Sequence, residues 1–254
     1  MRRQLADVGG SVVQAKVRSI AVADGGGFVA TMEGLEGLEG QERGEGQEGT
    51  DVREVRSRTV LLATGVVDRA PILPGIETAT RRGLLRQCPI CDGHEHSGQR
   101  IAVLGDGPHA QREGLFLAHY SPQVSVACLS APALDEPEDA DFAAAAREQR
   151  VRRLGSPVME VRVQDDDRVA LVLQDRTSHT FDIMYAALGC RPRSELALPL
   201  DVSRDSSGQL QVDRHCETST AGLYAAGDLV SGLAQLAVAI GHGAIAATAI
   251  HNHC

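Results

Sequence analysis

The alternation of apolar and polar positions is clearest in the second half of the chain. RIAVL, Arg100–Leu104, is apolar at four of five positions and predicts a strand buried on both faces. Gln111–His119 then predicts a helix, and QVSVACLS, Gln123–Ser130, the next strand. ALDEPEDADFAAAAREQRVRRLG predicts a loop and an alanine-rich helix capped by Asp139 or Asp141. Val158–Phe181 alternates as a small antiparallel meander interrupted by a turn at Asp165–Arg168. From Met184 the chain returns as a strand and turn. GLYAAGDLVSG, Gly222–Gly232, is a short strand ending at Gly227 and Asp228, and a helix rich in small residues follows, suited to close approach to a backbone or a flat ligand.

The first third has a different texture. A short polar helix ends at Gly9 and Gly10, and alternating valines predict strands joined at Gly25–Gly27. Glu33–Gly49 is mostly glycine and glutamate, so it is expected to form a disordered loop extension within a hairpin. Arg58–Gly65 is an apolar strand closing on Ala63, Thr64 and Gly65, after which Pro71 and Pro74 impose an extended crossing.

Two motifs carry chemistry. QCPICDGHE, Gln87–Glu95, places Cys88 and Cys91 at the spacing of a redox pair, with Asp92 next to move a proton. The same spacing serves half of a zinc site, for which His94 and His96 are nearby. The second motif follows the strand at Arg100: Gly105, Gly107 and Ala110 form G-x-G-x-x-[GA], in which a tight bend, a close backbone approach and a small packing residue admit a dinucleotide pyrophosphate. A dithiol just before such a turn favours redox chemistry over metal binding.

Composition narrows the class. The chain has 254 residues, 43% hydrophobic and 23% charged, with a formal net charge of −9. That balance fits one or two globular domains and argues against nucleic acid. Four arginines between Arg147 and Arg153, interrupted by Glu148, suggest a solvated helix face. No apolar run approaches the roughly 20 residues needed to cross a bilayer. A cytoplasmic setting is expected, where a Cys-x-x-Cys is reactive rather than structural. Cys128 and Cys190 sit in apolar runs and are expected to be reduced core residues; Cys216 and Cys254 have no motif spacing.

Taken together, TVLLATG (Thr59–Gly65), CPICDG (Cys88–Gly93), GDGPHA (Gly105–Ala110), GLYAAGD (Gly222–Asp228) and QLAVAIGHGAIAA (Gln235–Ala247) resemble, in order, the thioredoxin reductase-like flavoprotein disulfide oxidoreductases. The resemblance implies an α/β fold of two nested Rossmann-like domains. A discontinuous FAD domain, 1–84 and 192–254, would flank an NAD(P)-type domain, 85–191, that carries the redox pair. Electrons would pass from NADPH or NADH through FAD to Cys88–Cys91 and on to a thioredoxin-like protein or a small dithiol substrate, in a homodimer. Carried over by position, Cys91 would lie nearest the flavin, Cys88 would attack the partner disulfide and Asp92 would act as acid and base. Thr64, Gly65, Gly227, Asp228, Gln235, Leu236 and Ala237 would hold FAD; Gly105, Gly107 and Ala110 would hold NAD(P).

Three departures qualify this. The family's opening strand, Gly-rich turn and helix for the ADP half of FAD have no counterpart, so a truncated start is expected, with a decayed nucleotide-binding paralogue as the alternative. Cys128–Glu136 lacks the basic residues that grip an NADPH 2′-phosphate, which leaves NADPH, NADH or neither, and a dithiol oxidase, open. Asp106 and His109 make the Gly-rich turn less hospitable, with Asp106 placed to repel a pyrophosphate.

Overall fold

A computed structural model describes residues 2–36, 52–130, 140–148 and 150–253. The chain forms two compact units, Met1–Val67 with Arg191–Cys254, and Asp68–Cys190. In chain order the elements are α1 (Arg2–Asp7), β1 (Gln14–Val22), β2 (Phe28–Glu36), β3 (Val52–Ser57), β4 (Val60–Leu62) and β5 (Val66–Asp68). Then come α2 (Ile76–Arg81), β6 (Leu85–Arg86), α3 (Pro89–Asp92), β7 (Ile101–Leu104), α4 (Gly107–Leu117), β8 (Val124–Ala127), α5 (Ala140–Arg147) and β9 (Val151–Arg153). The remainder are β10 (Val158–Val163), β11 (Val169–Leu173), β12 (Ser178–Phe181), β13 (Ile183–Ala186), β14 (Cys190–Pro192), β15 (Leu223–Ala225) and α6 (Leu236–His253).

The 68–190 unit is built on a five-stranded sheet of order β6-β13-β7-β8-β9, parallel at each pairing. Its strands β7 and β13 are buried at every position because both faces are covered. Period-two alternation sorts them: Ala102, Leu104, Met184 and Ala186 join Val161, Leu171 and Phe181 of the β10-β11-β12 meander in one core. Ile101, Val103, Ile183 and Tyr185 join Ala110 and Leu117 of α4 and Phe142 of α5 in the other. The result is three layers, meander, sheet and helices.

In the other unit, β1, β2 and β3 form an antiparallel sheet in that order. The β1–β2 turn uses Gly25, Gly26 and Gly27 at φ of 90°, 99° and 76°, a left-handed run open to glycine alone at low cost. β4 pairs in parallel with β15, and around them Ile20, Phe28, Leu62, Leu210, Leu223 and Leu229 make a core.

Several expectations are refined. α4 begins at Gly107, four residues before Gln111, because Pro108 suits a first helical turn. Asp141 lies inside the first turn of α5 rather than capping it, and Asp139 lies outside the described residues. Glu33–Glu36 belong to β2, pairing being extended through Gln14 of β1, and the rest of the expected loop to Gly49 lies outside the described residues. Arg152 and Arg153 sit on β9 and not on a helix face. Cys128 and Cys216 are buried, but Cys190 is exposed because it opens the short β14. In α6 only Ala246 and Ala249 are buried, and a Cβ at Gly241 or Gly243 would meet nothing within 4 Å, so close packing does not explain its small residues there.

Gly75 tests how tightly the meander layer is packed. Its φ is +84°, and a Cβ there would lie 1.7 Å from the Val161 carbonyl oxygen, whereas Gly98, at φ +74°, has open space. Gly98→Ala should cost about 1–2 kcal/mol, the left-handed penalty alone. Gly75→Ala should cost clearly more in urea unfolding, since backbone must move.

Candidate functional site

The redox pair is set by one helical turn. Cys88 is extended (φ −131°, ψ 92°), and Pro89, with φ already suited to a helix, starts α3. The Cys91 N–H donates to the Cys88 carbonyl at 3.0 Å, bringing the two Cα atoms to 5.3 Å, and the sulfurs are joined in a disulfide. Cys88 is half-buried and Cys91 exposed. Ile90 between them is 65% exposed, an apolar contact beside the bridge.

Asp92 closes α3. The Tyr185 hydroxyl donates to its Oδ1 at 2.7 Å, and Arg86 Nε stands 3.5 Å from its Oδ2. Tyr185 and Arg86 are site residues that the sequence does not single out; their signal, a polar residue within each flanking strand, is too faint to find without the register. His96 shares a hydrogen bond with Gln99 Oε1 through Nδ1 and packs edge-on against Tyr185, while His94 packs edge-on against Tyr120. Among the described residues no three His, Cys, Asp or Glu side chains converge as a metal site.

The Gly-rich turn lies in the same unit. Gly105 must be glycine, because a Cβ would lie 2.7 Å from the Ala187 carbonyl oxygen; Gly107 adopts φ +66°, and Ala110 is fully buried. Asp106 differs from expectation. Its Oδ1 accepts from the N–H of Leu129 (2.8 Å) and Ser130 (3.3 Å), and its Oδ2 from the Ser130 hydroxyl (2.8 Å). The carboxylate is thus bound to the segment after β8 instead of pointing unengaged over the turn. Arg153, which in the sequence looks like one more member of a basic helix face, lines the small cavity beside Gly105, Asp106, Gly107 and Cys128. His109 Nε2 approaches Glu113 Oε1 at 3.0 Å, and burial raises the Glu113 carboxyl to about 7, its Oε2 having no hydrogen-bond partner.

In the other unit, Thr64 and Gly65 follow β4 while Gly227 and Asp228 follow β15, so the parallel pairing brings them to the same sheet edge. The Thr64 hydroxyl donates to the Arg193 carbonyl at 2.6 Å, and Gln209 Nε2 donates to the Asp228 carbonyl at 2.9 Å, fixing both turns. A Cβ at Gly227 would lie 3.6 Å from Ala239, which puts the start of α6 alongside. The Gln235 carbonyl accepts the Ala239 N–H at 2.9 Å, and Leu236 and Ala237 are exposed, leaving their N–H groups at the helix start for a ligand. The crevice at the carboxyl ends of parallel strands is where nucleotides bind in such sheets. These residues fit the flavin and ribityl side of FAD. No G-x-G-x-x-G turn joins a strand to a helix among the described residues of this unit. Gly105–Ala110 fit a pyridine nucleotide's pyrophosphate.

A bridged Cys-x-x-Cys and a Gly-rich dinucleotide-type turn thus lie within one α/β unit. The family model for pyridine nucleotide-disulphide oxidoreductase matches residues 17–243, and the chain belongs to that family, whose cofactors are FAD and NAD(P)H. It is 26% identical over 212 residues to a thioredoxin reductase of Bacillus subtilis, covering 79% of this chain and 65% of that protein. It is 29% identical over 217 residues to the F component of the alkyl hydroperoxide reductase of Pseudomonas aeruginosa, covering 78% of this chain and 39% of that protein. The fold matches a thioredoxin reductase structure from Streptococcus pyogenes with a TM-score of 0.79 at 24% identity, covering 99% of this chain and 77% of that one. The chain therefore spans less than two thirds of the length of these sequence relatives. No helix among the described residues is long and apolar enough to cross a membrane.

Glu113 gives this unit a pH signature. The folded carboxyl keeps its proton to about 7 against an ordinary value of 4.5, so the folded state binds more protons across that window and loses stability as pH rises through it. Glu113→Gln should match the parent near pH 4 and exceed it in urea midpoint above pH 7.

Proposed function

We propose that the chain works as a thioredoxin reductase-like flavin disulfide oxidoreductase, taking two electrons from NADPH or NADH and delivering them to a disulfide on a thioredoxin-like protein or a small dithiol/disulfide substrate. The observation that carries this reading is the Cys88–Cys91 bridge, followed at once by a carboxylate, in the unit that holds the Gly-rich turn. The protein acts in the cytoplasm, since a reducing compartment keeps such a pair cycling, and the family resemblance is what supports a homodimer.

FAD, when bound, supplies the two-electron chemistry that links a nicotinamide donor to the disulfide. Thr64, Gly65 and Gly227 would hold it at the strand ends, Asp228 would accept hydrogen bonds from its hydroxyls, and the N–H groups of Gln235, Leu236 and Ala237 would favour negative charge near the helix start. Gly105, Gly107 and Ala110 let the second dinucleotide's pyrophosphate approach the backbone. Cys91 would stand on the flavin side of the pair, and the reduced Cys88 attacks the partner's disulfide, breaking its S–S bond, forming a mixed disulfide and releasing one partner thiol. Cys91 then attacks that mixed disulfide and restores the bridge, so the partner leaves with two electrons and two protons. Asp92 holds or gives the thiol proton in these exchanges.

Purified chain supplied with FAD should lose its yellow flavin absorbance on anaerobic addition of NADH or NADPH, and the more effective donor names the physiological one. Cys88→Ser should keep that bleaching while turnover of a disulfide substrate falls at least about 10³-fold. Turnover unchanged in Cys88→Ser would refute the reading.

A further inference from the structure

Two side chains on neighbouring strands meet one carboxylate. β13 and β6 run parallel with Tyr185 opposite Arg86, so both side chains leave the same face of the sheet. One residue back, Met184 and Leu85 both turn into the core on the meander side. α3 follows β6 after Gln87 and Cys88 and ends on Asp92, which the Tyr185 hydroxyl meets at 2.7 Å on Oδ1 and Arg86 Nε at 3.5 Å on Oδ2. The Tyr185 side chain is fully buried, with the His96 ring edge-on at 6.2 Å between centroids. A phenylalanine would fill that core position equally well, so packing alone does not call for the hydroxyl.

We infer that Tyr185 is a positioning residue for Asp92, with Arg86 as the second anchor: together they hold the carboxyl group in one orientation beside the Cys88–Cys91 pair, where it exchanges the thiol proton. This rests on the reading of Asp92 as the acid and base of the dithiol. Burial first, and then the hydrogen bond to Asp92, raises the Tyr185 hydroxyl well above its ordinary range, so it remains a donor and does not itself carry the proton away. Arg86 Nε is buried without a hydrogen-bond partner, so its charge acts on Oδ2 across the 3.5 Å gap as a counter-ion.

The test uses the reaction of the bridge with dithiothreitol, which needs no flavin. Asp92 accepts the proton of a reagent thiol, whose sulfur bonds to one sulfur of the bridge; the Cys88–Cys91 bond breaks, and the released cysteine sulfur takes the electron pair and the proton that Asp92 has accepted. Ring closure within the reagent then expels the second cysteine, so the reagent is oxidised by two electrons and the protein pair reduced by two. The rate is followed on the full chain by acid quench, alkylation and mass spectrometry of the peptide carrying both cysteines.

Asp92→Asn should slow opening about a hundredfold, the scale of one acid–base group. Tyr185→Phe should slow it about tenfold, the scale of one hydrogen bond to a charged group, and the double variant should be no slower than Asp92→Asn alone. Arg86→Lys, which keeps the charge, should be faster than Arg86→Met. A purely structural tyrosine would lower the melting temperature without this non-additive rate pattern. Parent-like opening in Tyr185→Phe while Asp92→Asn is slow would overturn the positioning role and leave the acid–base reading standing. Parent-like opening in Asp92→Asn would overturn both, and strictly multiplicative effects in the double variant would overturn the coupling.

Discussion

The insertion of β13 between β6 and β7 is the constraint on which the redox centre depends. Parallel pairing aligns Tyr185 with Arg86 on one side and with Val103 on the other. A slip of one residue would carry Tyr185 to the opposite face and Met184 into its place, because side chains alternate along a strand. The carboxylate after Cys91 would then lose its hydrogen-bond donor. The same sheet also ends β7 at Gly105, so register fixes the dithiol turn and the dinucleotide turn within one rigid layer.

Covering that layer on both faces makes the register strict. The meander presents Val161, Leu171 and Phe181 to one face, while α4 and α5 present Leu117 and Phe142 to the other. Burying a side chain of this kind is worth roughly 1.5–3 kcal/mol, so misplacing one whole face costs far more than any single polar contact at the site could recover. In the other unit β4 and β15 form a two-stranded parallel pair, and its candidate flavin residues gather at one edge because both strands end in glycine-containing turns.

Much of this is legible in the residues. Continuous apolar runs such as Ile101–Leu104 announce doubly covered strands, and the glycines of the Gly105–Ala110 turn announce close approach, as the 2.7 Å clearance at Gly105 explains. What the chain alone does not show are contacts between distant positions. Asp106 looks like an obstacle to phosphate until the Leu129 and Ser130 N–H groups are seen to bind it. Arg153 reads as one member of a basic run until β9 separates it from α5 and places it beside the turn. Tyr185 reads as a core aromatic until strand order brings it to Asp92, 93 residues away in sequence. Cys190 misleads for a local reason: an apolar approach ends in a short edge strand that leaves it exposed.

The central claim is that Cys88–Cys91 is the relay between nucleotide and substrate. Its most direct test is a single turnover: the oxidised chain with FAD receives one equivalent of NADH or NADPH without oxygen or substrate, is quenched with an alkylating agent and is mapped by mass spectrometry. Cys88 and Cys91 should both become alkylated in proportion to the nucleotide oxidised. Nucleotide oxidation with the bridge still intact would contradict the claim.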